Sequence, residues 1–238
     1  MFYIFKNKLK MRYLKTCVKN KKLQTPEFIF SCMTFIKILI RAIHIGFNIY
    51  FMDESDISLK NNNFRCWRKK DEYLYHISIS NKRSNLLLIV DKSSIVYYKI
   101  NRDPTNENTF LEFIKEFLAK INERNDNNKY IIVLDNLAAH KTPKVKRFFD
   151  ENKINIIYNT PYASMFNCVE LSFRYLKRHL YNNLYNTLDD AENDTKKLLE
   201  NNNINLTLLK NYRETLNTYL LYYLKNQYKN LNNLNYDI

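Results

Sequence analysis

Two apolar segments of the chain each lead directly into an aspartate. Ile49–Met52 precedes Asp53, and Ile131–Leu134 precedes Asp135. Short apolar runs of this kind predict buried β-strands, and ligands of α/β sheets gather at the carboxyl ends of strands. Two carboxylates at one such edge are therefore candidates for a shared site. Taken singly, either aspartate could instead begin a turn or cap a helix, because Asp is common in both places.

A third acid, Glu170, changes the interpretation of this pair. It lies in the segment Thr160–Glu170, at the start of a predicted helix that begins near Asn167. Between Asp135 and Glu170 there are 34 residues, and between Asp53 and Asp135 there are 81. The sequence therefore offers three carboxylates, two that follow strands and one that opens a helix.

The segments around these acids resemble three motifs of mariner-type transposases and their bacterial insertion-sequence relatives, the DDE superfamily endonucleases. The segments are FMDES, VLDNLAAHKT and TPYASMFNCVELSFRYLKRHL, and the interval of 34 residues is usual for one large branch of that family. The third motif keeps the family's Pro161, Tyr162, Asn167, Val169 in place of Ile, Glu170, Leu176 and Lys177. It departs at Ser164 and Cys168, where the family usually has proline, which leaves the rigidity of this loop open.

The resemblance implies an RNase H-like fold and a DNA transposase that cuts and joins strands with Mg²⁺, for which Mn²⁺ can substitute. Attack on a phosphodiester places negative charge on the attacking and the leaving oxygen, and two divalent ions about 3.5–4 Å apart can stabilise both. Asp53, Asp135 and Glu170 are then the catalytic residues and metal ligands, with Asp53 bridging the two ions. The implied partners are transposon-end and target DNA, bound by a homodimer in a synaptic complex.

Five polar residues near the acids are further candidates for carboxylate support or DNA contact: Asn136, His140, Asn167, Arg174 and Lys177. The two asparagines could hydrogen-bond the carboxylates. His140 matches a histidine common in the family, which could orient a scissile phosphate or fix its own loop. Arg174 and Lys177 share a helix face with Glu170 and could contact DNA phosphates, or Arg174 could form an ion pair with Glu170.

Two other functions remain open. The chain could be an inactive or host-adopted DNA-binding remnant of a transposase, although its intact acids favour retained catalysis. Another RNase H-like nuclease, such as an integrase or resolvase, predicts different residues around the third acid. Full-length relatives carry two helix-turn-helix units in a region longer than the 52 residues before Asp53. We therefore expect recognition of transposon ends to be missing or truncated in this chain.

The composition agrees with a polyanionic partner and excludes several classes of protein. The formal net charge is +14, which favours nucleic acid or an acidic membrane surface. The apolar stretch Phe28–Met52 contains Lys37, Arg41 and His44, so we predict no membrane span. Gly46 is the single glycine, which rules out glycine-rich phosphate loops. The four cysteines are far apart and form no CxxC pair, so we predict neither a zinc site nor disulfides. Reduced cysteines favour an intracellular protein, which would be nuclear in a eukaryote and cytoplasmic or nucleoid-associated in a bacterium.

The elements that must position the acids follow from hydrophobic spacing and capping residues. They form a mixed α/β sheet, with an antiparallel meander and parallel strands, flanked by helices. Helices are predicted at Thr25–Ile45, Phe110–Ile121 with a cap at Asn106 or Thr109, Thr142–Glu151, from Asn167, Leu188–Glu200 and Leu206–Tyr228; strands are predicted at Asn48–Met52, Tyr73–Ser80, Asn85–Val90, Ser94–Ile100, Tyr130–Leu134 and Ile154–Tyr158.

Three regions are expected along the chain. Residues 1–45 form a basic N-terminal segment and helix, a possible remnant of the DNA-binding region. Residues 46–185 form the RNase H-like catalytic domain, and residues 186–238 form a C-terminal helical extension. Trp67 lies in a basic stretch, Arg65–Lys70, where the ring is expected to pack and the flanking bases to face phosphate.

Overall fold

The computed structural model describes residues 25–59, 82–91, 94–123, 129–183 and 185–200, together with positions 218, 221 and 225. Several predicted features lie outside the described residues. They are the basic segment 1–24, the stretch around Trp67, the strand Tyr73–Ser80 and most of the helix Leu206–Tyr228.

The described helices and strands follow one another in the order that the sequence predicted. Most of their first and last residues lie within three positions of the predicted ones. In chain order they are α1 Pro26–His44, β1 Asn48–Ser58, β2 Arg83–Val90, β3 Ile95–Asn101, α2 Glu107–Glu123, β4 Tyr130–Leu134, α3 Pro143–Glu151, β5 Asn155–Tyr158, α4 Val169–Asn182 and α5 Leu188–Glu200. Two short 3₁₀ turns, Ala138–Lys141 and Ser164–Phe166, precede α3 and α4.

Local sequence explains where the helices begin. The Thr25 hydroxyl accepts a hydrogen bond from the backbone N–H of Phe28, and the proline that follows Thr25 occupies the first turn, where its missing N–H costs nothing. Thr142 caps α3 in the same way. Asn106 is the cap of α2, because its carboxamide oxygen accepts two backbone N–H groups of the first turn. Gly46, with φ of +86°, turns the chain from α1 into β1.

The five described strands form one sheet in the order β3-β2-β1-β4-β5. The pairs β1/β2 and β2/β3 are antiparallel, and β1/β4 and β4/β5 are parallel. The first three strands form an antiparallel meander, and the other two provide the parallel half. The sequence predicted the pairing of β2 with β3 in a meander, but the strand Tyr73–Ser80 that it placed before them lies outside the described residues. The mixed sheet with helices on its faces is therefore confirmed.

The prediction that β1 ends at Met52 is wrong. The strand continues to Ser58, since β2 pairs with it as far as Ser58 opposite Arg83. The parallel pairing of β1 with β4 ends earlier than the pairing of β1 with β2, since its last residue pair is Phe51 with Val133. Asp53 therefore lies inside β1, but two residues beyond the end of the parallel pairing, where the C-terminal edge of β4 opens.

The sheet separates two hydrophobic cores. Alternate residues of a strand point to opposite faces, and Phe51 enters one core while Met52 enters the other. The first core is closed by α1, α4 and α5, and the second by α2 and α3. No helix in the described ranges is long and apolar enough to cross a membrane.

Helix α5 packs on the sheet rather than projecting away from it. Its Leu188, Ala191 and Leu199 belong to the first core. Its Glu192 accepts a hydrogen bond from Ser84 of β2 at 2.5 Å. The segment predicted to begin a C-terminal extension thus contributes directly to the layer beneath the sheet.

Candidate active site

Asp53 is held by two hydrogen bonds and is largely buried. Its Oδ1 accepts the backbone N–H of Glu54 at 2.8 Å, and its Oδ2 accepts the Asn167 amide at 2.9 Å. The pKa of Asp53 is raised to about 7, mainly by burial and in addition by the negative charges of Asp135 and Glu170, although the Glu54 N–H lowers it. The three predicted acids are therefore close enough to interact electrostatically through Asp53.

Asp135 has the opposite electrostatic character. Its Oδ1 lies 2.7 Å from His140 Nδ1 and accepts the backbone N–H of Leu137 at 3.1 Å. Burial alone would raise the pKa of Asp135, but the hydrogen bonds from His140 and Leu137 outweigh burial and lower the pKa overall. Asp135 thus stays ionised where Asp53 resists ionisation.

His140 is a buried bridge between two carboxylates. Its side chain is 1% exposed, and its Nε2 lies 3.3 Å from Glu54 Oε1. Its ring packs on Phe110 with centroids 4.2 Å apart. Burial lowers the pKa of His140, but hydrogen bonds to Asp135 and Glu54 raise it to about 9, so the ring donates from both nitrogens. His140 therefore orients the Asp135 carboxylate and is shielded from solvent.

Glu170 lies in the first turn of α4, where a negative charge is favoured by the helix dipole. Asn167 connects this helix to the first acid. Its amide donates to Asp53 Oδ2 and to the Met52 carbonyl, and its side-chain oxygen accepts the Val169 N–H at 3.2 Å. The buried Asn167 thereby sets the start of α4 against β1.

The loop before α4 is ordered without the family's prolines. The backbone of Asn159 donates to the Leu134 carbonyl at 2.8 Å, and its side chain donates to the Ala163 carbonyl at 2.8 Å. The 3₁₀ turn Ser164–Phe166 follows, and Cys168 is buried beside it. Hydrogen bonds and burial therefore fix the segment that carries Glu170, although Ser164 and Cys168 depart from the family motif.

The two basic residues of α4 have different surroundings. Lys177 forms an ion pair at 3.2 Å with Asp56 of β1, and together they flank the edge beyond Asp53. Arg174 is exposed. The predicted alternative, an ion pair between Arg174 and Glu170, is absent among the described residues. The cation of α4 that forms an ion pair is Lys177, and its partner lies on β1.

Asn136 hydrogen-bonds no carboxylate of the described residues, which corrects the expectation from sequence. Its amide donates to the Asn159 carbonyl, and its oxygen accepts from the Lys141 ammonium. The same ammonium lies 4.6 Å from the centroid of the Tyr158 ring. Asn136 therefore joins the loops after β4 and β5 and holds Lys141 beside Asp135.

Sequence reasoning missed Glu54 and Lys141. Glu54 follows Asp53 in the chain, but neighbouring side chains of a strand point to opposite faces of the sheet. Glu54 therefore contacts His140 on the face opposite to Asp53. The acid-rich FMDES segment was a usable signal. Lys141 follows His140 directly in the sequence, and its ring partner Tyr158 ends β5.

The donor set fits a divalent cation. In the described part of the chain, no three His, Cys, Asp or Glu side chains already surround a common point as metal ligands do. The acids themselves are hard oxygen ligands of the kind that Mg²⁺ and Mn²⁺ prefer. Burial and the negative charges of Asp135, Glu170 and Glu54 all disfavour the anion of Asp53. A cation between the acids would relieve that cost. Asp53, Asp135 and Glu170 are the residues that would hold it.

Solved structures of Mos1 transposase have a fold similar to that of this chain. The Mos1 transposase paired-end complex with the left transposon end has a TM-score of 0.73 at 12% identity, over 92% of this chain and 68% of that chain. The Mos1 transposase catalytic domain with raltegravir and Mg has a TM-score of 0.66 at 12% identity, over 84% of this chain and 96% of that chain. These similarities confirm an RNase H-like fold. No curated protein sequence matches the chain.

The sequence itself identifies the family. Residues 48–192 match the model of the DDE superfamily endonuclease. That range contains all three acids, each of the strands and the helices α2, α3 and α4. Since the match covers more than half of the chain, this protein belongs to the DDE superfamily of endonucleases.

Proposed function

We propose that this chain is the catalytic domain of a DNA transposase, which hydrolyses phosphodiester bonds and transfers strands with divalent metal ions. The observation that carries the proposal is the position of the three acids. Asp53 lies two residues beyond the β1/β4 pairing, Asp135 directly follows β4, and Asn167 joins Asp53 to the start of the helix that carries Glu170. The similar structures include Mos1 complexes with transposon DNA and with Mn or Mg. DNA is the proposed partner, and a homodimer is the proposed assembly.

The chain's own residues divide the work at this site. Bound Mg²⁺ would supply charge stabilisation to the attacking and leaving oxygens and lower the pKa of the attacking group. Asp53 and Glu170 offer oxygens from the sheet and from α4. Asp135 offers a third, oriented by His140. Orientation by an outer hydrogen-bond partner commonly tunes a metal ligand.

Positive charge near the acids supports a phosphate-bearing substrate. Lys141 lies close enough to Asp135 to lower the pKa of that acid. Lys177 and the exposed Arg174 lie along α4, on the helix that opens with Glu170. Such cations bind the DNA backbone without reading sequence. The arrangement suits a duplex whose scissile phosphate rests on the acids while flanking phosphates contact α4.

Plasmid nicking tests this function. The full chain is incubated with supercoiled plasmid and Mn²⁺, and the fraction of nicked circles is followed with time. We expect nicking by the unmodified protein, loss of at least about 100-fold in Asp135→Asn, a scale typical of removing a group that stabilises the transition state, and no loss in Asp150→Asn. Asp150 is a matched control because it is exposed on α3.

The outcomes separate the candidate functions. Equal nicking by the unmodified chain and Asp135→Asn would show that a contaminant or another site cuts DNA. Salt-sensitive DNA binding without any nicking, at matched folding by circular dichroism, would favour the inactive DNA-binding remnant. Sedimentation with and without DNA tests the proposed homodimer.

A further inference from the structure

A groove of about 430 Å³ lies between α1 and the segment that follows β5. One wall is formed by Phe30, Phe35 and Ile38 of α1, and the other by Tyr158 and Pro161. The volume lies within the range of sites that take small molecules or single groups of a larger ligand. None of the proposed catalytic acids lines it, so the groove is a separate feature of the surface.

The groove presents aromatic surface to solvent. Phe30 is 63% exposed and Ile38 is 45% exposed, so apolar surface of this wall faces solvent. Tyr162, one residue beyond Pro161, is 62% exposed and has φ of +64°. Left-handed backbone is costly for a residue with a Cβ, and such positions cluster where function needs them. The loop thus directs an aromatic side chain outward beside the groove mouth.

Cations lie beside the groove, and the exposed Glu27 stands nearly one turn before Phe30 on α1. No Asp or Glu lines it within the described residues. The ammonium of Lys141 lies over the ring of Tyr158, 4.6 Å from its centroid. On α1, the exposed Arg41 lies nearly one turn beyond Ile38 on the same side of the helix. An apolar trough bordered by cations suits a ligand that combines a flat ring with an anionic chain.

Polar groups at the base of the groove add capacity for a ring with hydrogen-bonding edges. Asn159 lines the groove and is 6% exposed. Its amide is satisfied by the Ala163 carbonyl, but its side-chain oxygen has no hydrogen-bond partner. Thr160 and Ser31 share a hydrogen bond across the groove at 3.3 Å. A purely hydrophobic peptide would leave the Asn159 oxygen without a partner.

The groove opens at the catalytic edge of the sheet. Asn136 lines it and directly follows Asp135 in the chain. A DNA strand that passes over Asp135 would therefore bring a neighbouring nucleotide to the groove. Aromatic side chains bind unpaired bases by stacking, with little sequence preference, and nearby cations bind the phosphates.

We propose that this groove binds an unpaired nucleobase of a DNA strand, stacked against Phe30, with the adjacent phosphates facing Lys141 and Arg41. This inference rests on the proposed function, because it takes the strand to be the one presented to the acids. Its consequence is that the protein binds single-stranded or locally opened DNA better than closed duplex of the same length.

Strand binding without metal tests the groove apart from catalysis. The full chain is titrated in EDTA against a fluorescent 12-nucleotide single strand and against blunt duplex of the same length, read by anisotropy. Since stacking of one base on an aromatic ring contributes about 1–3 kcal/mol, Phe30→Ala should weaken single-strand binding about 5- to 150-fold. Its duplex binding and the salt dependence of its binding should stay unchanged, because no charge is removed.

The matched control is Ile45→Ala, an exposed apolar residue at the end of the same helix and outside the groove, which should bind both DNAs as the unmodified chain does. An abasic strand tests the base itself. The unmodified protein should bind it more weakly than the intact strand, whereas Phe30→Ala should bind the two equally.

Three results would overturn the groove proposal. One is equal single-strand affinity of Phe30→Ala and the unmodified chain. Another is an equal loss for single strand and duplex, which would point to a general effect on the surface. A change of oligomeric state in sedimentation on Phe30→Ala, with strand affinity retained, would identify a second copy as the occupant. If the unmodified chain fails to nick plasmid but Phe30→Ala still loses strand binding, the catalytic proposal fails and the groove stands.

Discussion

Replacing Asp53 with asparagine should make the metal-free protein more stable. Folding shifts the pKa of Asp53 from 3.8 to about 7, mainly because the carboxylate is buried, and also because Asp135 and Glu170 are negative. A shift of about 3 units corresponds to about 4 kcal/mol of destabilisation when the group is ionised. The amide cannot keep both hydrogen bonds of the carboxylate, so we expect a net gain of about 2–3 kcal/mol for Asp53→Asn.

The sign of the pH dependence follows from the raised pKa. Below pH 3.8 the carboxyl is protonated in both the folded and unfolded states, so it costs no stability. As pH rises through 7, the penalty grows to its full size. The advantage of Asp53→Asn over the unmodified chain should therefore be largest at pH 8 and small near pH 4.

Thermal unfolding in EDTA at pH 4, 6 and 8 measures this difference. For a chain of this length, 2–3 kcal/mol corresponds to roughly 4–12 °C. Asp56→Asn is the control on the same strand, because its pKa is lowered by Lys177 and its removal should give no gain. Added Mg²⁺ should stabilise the unmodified chain and not Asp53→Asn. Equal stability of the two proteins at pH 8, or a gain that does not change with pH, would refute this account of Asp53.

Three further predictions concern the surroundings of the acids. Asn167→Ala should lower the free energy of unfolding by about 2 kcal/mol, because it removes a buried amide that holds Asp53, and it should weaken Mn²⁺ binding measured by calorimetry. Glu192→Gln should lower the melting temperature at pH 7. Because Arg102 lowers the pKa of Glu192, that loss should disappear only as the pH falls below this lowered pKa and the carboxylate is protonated. Lys177→Ala should change stability by less than about 1 kcal/mol, since its ion pair is exposed, yet reduce the salt slope of duplex binding by about 1; an unchanged slope would remove Lys177 from the DNA contact.

Much of the fold was predictable because local signals agreed with it. The boundaries of α5 were predicted correctly, and Thr25 and Thr142 marked the starts of their helices through cap and proline pairs. The extension of β1 beyond Met52 was not predictable. Its residues Glu54–Ser58 are mostly polar, and they remain in a strand because β2, distant in sequence, supplies the backbone partners.

The acids were easier to predict than the contacts that hold them. The sequence alone shows three carboxylates at the spacing of the family. The role of His140 depends instead on Glu54, 86 positions before it, and on Phe110, 30 positions before it. The sequence also suggested Asn136 as a carboxylate partner, since it adjoins Asp135. The turn after β4 instead directs its amide to the loop after β5.

The central claim is that Asp53, Asp135 and Glu170 together bind the divalent ions. A crystal structure of the protein with Mn²⁺, with the ions located by anomalous scattering, tests it most directly. We predict Mn²⁺ peaks within direct coordination distance of all three acids, with Asp53 contacting both ions of a pair about 3.5–4 Å apart. Mn²⁺ bound elsewhere while these three carboxylates stay uncoordinated would contradict the claim.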